Sequence, residues 1–157
     1  MFRINRRTDY SIRVMMCLAK RSVGTRLATQ TIQQEMHIPR PFLQRIIADL
    51  SKAGLVHTYP GPNGGLELAH SPEKINLRHI WEAVEGPLLV SDCLKSPGEC
   101  PLDSGCPVHC RWRRIQAMLE QELEGATLAE LAREALALAA LPGEVAAQKL
   151  YALPVGQ

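Results

Sequence analysis

Four of the five cysteines in this 157-residue chain fall between Cys93 and Cys110, and His109 lies among them. Thiolates grouped this way are soft anionic ligands, and the Pro and Gly residues between them let a backbone wrap around one point. A metal ion or an iron–sulfur cluster uses such a set, whereas a packed core does not need it. Structural zinc sites pair ligands at short spacing, and only Cys106 with His109 or Cys110 has that spacing. Six residues separate Cys93 from Cys100 and five separate Cys100 from Cys106. Three spread thiolates suit a larger object whose corners lie several ångströms apart, so spacing favours a cluster over zinc. Cys17 stands within the apolar pattern of a helix and is expected in the core.

The second chemical signal is charge. Residues 1–70 hold ten Lys/Arg against four Asp/Glu, giving +6, and residues 71–157 hold eight against twelve, giving −4. A basic half joined to an acidic half suits a polyanion-binding domain with a separate controlling part. No stretch approaches the length of a membrane span, and no apolar region follows the charged N-terminus as in a signal peptide. A cytoplasmic protein is expected, with reduced thiols rather than disulfides.

The elements that position these groups follow from periodicity. Thr8 is a plausible N-cap for a first helix with Ile12, Met15, Met16 and Ala19 facing inward. Thr29 can cap a second, short helix to about Met36, and His37-Ile38-Pro39 makes a turn. A third helix starts around Arg40-Pro41, with Phe42, Leu43, Ile46, Ile47 and Leu50 on one face and Gly54 ending it. Two helices joined this way form a helix-turn-helix. Arg40, Gln44 and Arg45 lie off the apolar face, where Arg can pair with guanine and Gln with adenine in a major groove; the plainer reading is solvated helix residues. Residues 55–59 and 66–69 alternate like strands around the Pro60-Gly61-Pro62-Asn63-Gly64-Gly65 turn, which makes a wing. The glycines lack the Lys-Ser/Thr of a phosphate-binding loop. The expected DNA-binding set is Thr29, Arg40, Pro41, Gln44, Arg45, Tyr59 and Asn63.

Beyond the wing, Asn76 caps a helix over 77–85 that Gly86 ends. A long helix from about Pro107 carries Val108, Trp112, Ile115, Leu119 and Leu123 in a stripe that a second subunit would bury. Thr127 and Glu130 form a capping box before an Ala/Leu-rich helix that ends at Pro142-Gly143. The expected fold is mainly α: a winged helix-turn-helix with a two-stranded wing (1–70), then a cysteine-rich cluster loop and a long dimerisation helix (71–141), and a tail (142–157). No paired carboxylates, nucleophile–base arrangement or nucleotide motif points to an enzyme.

In combination, several motifs carry a resemblance. They are Thr8-Asp9-Tyr10-Ser11-Ile12-Arg13, Ile38-Pro39, Leu50-Ser51-Lys52-Ala53-Gly54-Leu55-Val56, Gly61-Pro62-Asn63-Gly64-Gly65, Glu85-Gly86 and the three spaced cysteines. From Phe2 to Leu131 the chain resembles the bacterial regulator family of the iron–sulfur cluster assembly regulator (IscR) and the nitric-oxide-sensing repressor (NsrR). The resemblance implies a homodimeric winged-helix transcription factor bound to operator DNA, with Cys93, Cys100 and Cys106 holding a 2Fe–2S or 4Fe–4S cluster. Two fourth ligands match relatives. Asp9 matches a carboxylate reaching across from the partner subunit in the nitric-oxide sensor, and His109 matches the histidine of the assembly regulator. The Asp9 match leans toward a 4Fe–4S cluster, and Cys110 is a further thiol without a counterpart. The implied function is a repressor that senses nitric oxide or redox stress through cluster damage. Sensing of iron–sulfur cluster supply is the alternative, and a zinc-stabilised winged helix or an iron–sulfur enzyme is more distant. Pro60 and Leu66 replace an arginine and an aromatic common in the relatives' wing, which implies a target sequence of its own.

Overall fold

The computed structural model describes residues 4–96, 98–102 and 104–146, so residues 147–157 of the expected tail lie outside the described residues. Helix α1 spans Arg6–Ala19, α2 Thr29–Met36 and α3 Arg40–Lys52. Strands β1 (Val56–Tyr59) and β2 (Gly65–Leu68) follow, then α4 (Leu77–Glu85), α5 (Pro107–Gly125) and α6 (Leu128–Ala139). This is the winged helix-turn-helix followed by a loop and a long helix.

Local signals set most boundaries, with two corrections at helix starts. Asn5, not Thr8, caps α1: its side chain accepts from the amides of Arg7 (2.8 Å) and Thr8 (3.1 Å). Thr8 is buried one turn later, and its hydroxyl donates to Glu85. Ala28 is the N-cap of α2, so Thr29 is its first residue. Asn76 and Thr127 cap α4 and α6 as expected, each also donating its backbone amide to the side chain of the third helical residue, His79 and Glu130. His37 ends α2 in the left-handed conformation, with φ 52°.

One core joins these elements. Val14, Met15, Cys17 and Leu18 of α1 meet Ile32, Ile38, Leu43, Ile46 and Leu50 of the helix-turn-helix, and Ile75, Ile80 and Leu128 complete the cluster. Burying each large aliphatic side chain contributes about 1.5–3 kcal/mol. The α1 stripe is therefore rotated from the expected one, with Ile12, Met16 and Ala19 on its flank. Helical periodicity predicts Phe42 inward with Leu43, but it is 43% exposed and meets Tyr10 edge-on, with centroids 5.8 Å apart. Leu43, Ile46 and Leu50 already fill the narrow inward arc of α3, leaving Phe42 to pack sideways.

The wing is larger than a hairpin. β1 and β2 pair antiparallel with Tyr59 opposite Gly65, and the segment before α2 adds a bridge from Leu27 to Leu66. The amides of Leu27 and Leu66 donate to each other's carbonyls at 2.9 and 2.8 Å. Gly65 permits this approach, because a Cβ there would lie 2.2 Å from the Leu27 carbonyl oxygen. Among the described residues no helix is long and apolar enough to cross a membrane.

Candidate functional site

Helices α2 and α3 enclose an open groove of about 690 Å³ between their outer faces. Thr29, Gln30, Gln33, Gln34, Arg40 and Gln44 line it. Arg40 and Gln44 stand one turn apart on α3, so both project into it. The groove is thus rich in amides, with one guanidinium at its edge. Pro41 is exposed in the first turn of α3. Arg45 does not join this set. It lies around the helix with Arg7, Phe42, Ala48 and Asp49 at a separate hollow. Asn63 is exposed at the wing turn, and Tyr59 is half-buried at the end of β1.

Four residues at the groove and the wing lie outside the set expected from sequence. Gln30, Gln33 and Gln34 could have been found from their spacing of three and four along α2. Arg26 could not, because strand register alone brings it to the wing. Its guanidinium carbon lies 3.6 Å from the centroid of the Tyr59 ring, and its Nε is 3.4 Å from Glu67 Oε2.

The cysteine loop runs from the end of α4 to the start of α5. Cys93 lies in a single 3-10 turn over Asp92–Leu94, with its Sγ 3.3 Å from Ser91 Oγ. Cys106 is the N-cap of α5. Cys93, Cys100 and Cys106 are half-buried, Cys110 is exposed, and all are free thiols. His109 is half-buried in the first turn of α5 and shares a hollow with Leu94, Arg113, Gln116 and Glu120. Asp9 is ion-paired with Arg13 at 2.7 Å, one turn along α1. Among the described residues no three His, Cys, Asp or Glu side chains converge on one point. The chemistry of the donor set, three thiols and an imidazole within one short segment, nevertheless fits a soft metal or an iron–sulfur group. Cys17 is 1% exposed in the core, and burial, with the Glu35 carboxylate beside it, pushes its thiol up to about 11.

Side chains tie this loop to its surroundings. The Gln116 amide donates to the Leu88 carbonyl and to Glu120 Oε1 (2.8 Å), and its oxygen accepts from the Val90 amide at 2.9 Å. Arg78 of α4 pairs with Glu82 on its own helix and with Glu120 and Glu124 of α5. At the other end, Glu85 accepts from Asn5 (2.6 Å) and from Thr8, and Arg7 pairs with Asp49 of α3. Val108, Trp112, Ile115 and Met118 of α5 remain exposed, Met118 by 62%.

Comparison with known proteins gives this arrangement its context. The model of the Rrf2 family, described as iron-dependent transcriptional regulators, matches residues 4–134. The chain is 35% identical over 96 residues to an HTH-type transcriptional regulator of Aquifex aeolicus, covering 60% of this chain and 67% of that protein. It is 31% identical over 136 residues to one of Mycobacterium tuberculosis, covering 85% and 83%. It is 29% identical over 125 residues to the HTH-type regulator NsrR of Shouchella clausii, covering 79% and 84%. Among solved structures it is similar to CymR, the global cysteine regulator of B. subtilis, with TM-score 0.69 and 26% identity over 85% of this chain and 98% of that one. The T. potens IscR structure gives TM-score 0.68 and 25% identity over 85% and 88%.

Proposed function

Because the chain belongs to the Rrf2 family of iron-dependent transcriptional regulators, we propose that it is a homodimeric, iron–sulfur-dependent repressor whose cluster is damaged by nitric oxide or redox stress. The observation that carries this reading is the trio of free, half-buried thiols on the loop between α4 and α5. A regulator rather than an enzyme is what the family and its relatives are. Such a protein acts in the cytoplasm, where thiols stay reduced.

Cys93, Cys100 and Cys106 would hold the cluster, with Asp9 of the partner subunit as the fourth ligand. A bound cluster supplies a site that nitric oxide, oxygen or iron loss destroys. The remaining work belongs to the chain. Cys106 sits at the start of α5, so a change at the loop bears directly on the helix whose exposed Val108, Trp112, Ile115 and Met118 would pack against a second copy. At its α4 end the loop begins beside Glu85, which holds Asn5 and Thr8, and neighbouring Arg7 holds Asp49 on the recognition helix. Ligation is thereby connected to the spacing of two recognition helices. A 100-fold change in DNA affinity requires about 2.7 kcal/mol of coupling, within the usual range for two linked sites.

In the DNA-bound form, Thr29, Arg40 and Gln44 would face base edges from the α2–α3 groove. Pro41 and Arg45 flank that face, and Tyr59 and Asn63 belong to the wing. A second reading, in which cluster occupancy is itself the signal, is favoured by His109: it stands beside Leu94 of the cysteine loop in its own chain.

Anaerobic purification tests the proposal. The expected protein is brown, contains iron and sulfide, binds promoter DNA as a dimer, and releases it on nitric oxide exposure. Cys93→Ala, Cys100→Ala and Cys106→Ala each lose iron, while Cys110→Ala keeps it. Visible and Mössbauer spectra of Asp9→Ala and His109→Ala separate the 4Fe–4S form with Asp9 from a 2Fe–2S form with His109. A colourless protein that needs zinc to fold overturns the cluster reading.

A further inference from the structure

We propose that Arg26, from the segment leading into α2, is a DNA-backbone contact of the wing, with Tyr59 as its stacking platform. This inference rests on the DNA-binding reading above and concerns a residue outside the helix-turn-helix and the wing hairpin. The register defines the arrangement. Leu27 bridges Leu66, so Arg26 stands opposite Glu67, and His57 stands opposite Glu67 on the other side. Residues opposite one another share a sheet face, and Tyr59 shares that of His57 two positions away. Arg26, Glu67, His57 and Tyr59 therefore lie on one polar face, while Leu27, Leu66 and Val56 occupy the other.

Gly65 makes the stack possible. It lies opposite Tyr59, and its lack of a Cβ lets the Leu27 backbone close onto β2, which brings the Arg26 guanidinium to the ring. At 3.6 Å the guanidinium covers the aromatic face, which takes up its flat side and leaves the N–H edge pointing outward. Its only ion pair among the described residues, to Glu67, is long at 3.4 Å and engages Nε, so the terminal nitrogens are not drawn into it. Arg26 is 51% exposed and Glu67 only 20%. An arginine held flat by a ring, with its fork presented to solvent, is pre-organised for bidentate contact with a phosphate.

Position agrees with chemistry. Arg26 precedes Thr29 of the recognition groove by three residues, a reach of at most about 11 Å along the chain. Both therefore stand at the same stretch of a docked duplex. Glu67 opposes the phosphate electrostatically while restraining the guanidinium, so it sets the strength of the contact downward.

The test uses the full chain, anaerobically prepared, and a duplex that the wild-type protein selects from a random library, with a shuffled duplex of equal length. Affinity is followed by fluorescence anisotropy across a salt series. Arg26→Ala is expected to flatten the log affinity against log salt slope by about 0.9 for each protomer engaged, equivalent to about eightfold weaker binding at 0.1 M salt per contact. The loss is equal on both duplexes, because a phosphate contact carries no sequence information. Arg26→Lys keeps the slope but binds more weakly than wild type, as does Tyr59→Leu, since each keeps the charge and loses the stack. Glu67→Gln binds more tightly. An unchanged slope in folded Arg26→Ala, verified by circular dichroism, overturns the proposal, as does a loss confined to the selected duplex. If the wild type selects no duplex, the DNA-binding reading fails and this inference with it; normal selection with an unchanged Arg26→Ala slope defeats this inference alone.

Discussion

Replacing Gln116 with Ala isolates the coupling between the cysteine loop and α5. In the native protein this amide accepts from the Val90 N–H at 2.9 Å and donates to the Leu88 carbonyl, clamping the first residues of the loop to the helix. Leu88 is buried and Val90 half-buried, so water compensates only in part for the lost partners. Each such bond contributes a net 0.5–1.5 kcal/mol, and the two loop bonds together about 2 kcal/mol. That free energy acts on local opening of the loop, because the main core around Leu43, Ile46 and Ile80 makes no use of Gln116. The Val90 amide should therefore exchange roughly 30-fold faster with solvent deuterium, at 1.4 kcal/mol per factor of ten. Amides in α3 should be unaffected, and the thermal midpoint should move little. Gln116→Glu should be about as damaging, since a carboxylate cannot donate to Leu88 and sits one turn from Glu120. Unchanged exchange at Val90, or equal acceleration across the whole chain, would refute the assignment of the clamp to this side chain.

Other perturbations probe the frame around the site. Leu43→Ala empties a fully buried position between α1 and α3 and should cost about 2–5 kcal/mol in chemical denaturation. Gly65→Ala drives a Cβ into the Leu27 carbonyl and should cost about 2–3 kcal/mol, with faster amide exchange at Leu27 and Leu66 while α1 stays protected. His37→Gly relieves a left-handed β-carbon at the helix-turn-helix corner and should raise stability by about 0.5–1 kcal/mol, seen as a higher denaturation midpoint. Cys17 ionises near 11 rather than at the ordinary 9.0, so its neutral thiol favours the fold fully below about pH 9 and loses that advantage as pH rises toward 11. Cys17→Ala should flatten this alkaline decline, and iodoacetamide at pH 8 should label Cys110 well before Cys17.

Much of this molecule is written in short-range pattern. The capping residues Asn76 and Thr127, the Arg40-Pro41 start of α3, the Gly54 stop and the Gly-rich wing turn each act within a few residues, so they are legible one segment at a time. The apolar neighbours of Cys17 likewise predict its place in the core, where it is buried. Phe42 marks the edge of that approach. Periodicity put it inward, but the arc available on α3 depended on how closely α1 and α4 packed against it.

The residue types in the loop and the family motifs came from sequence alone, because ligand chemistry and local spacing are properties of the chain. The tertiary structure decided which helix faces are left open, that Arg45 parts from Arg40 and Gln44, and that Gln116 grips the loop from 26 residues away. It also brought Arg26, from the segment bridged to β2, onto Tyr59 of β1. Such contacts join segments far apart in sequence, and their register is fixed only when the core closes. No local pattern encodes them, which is why they emerge with the fold.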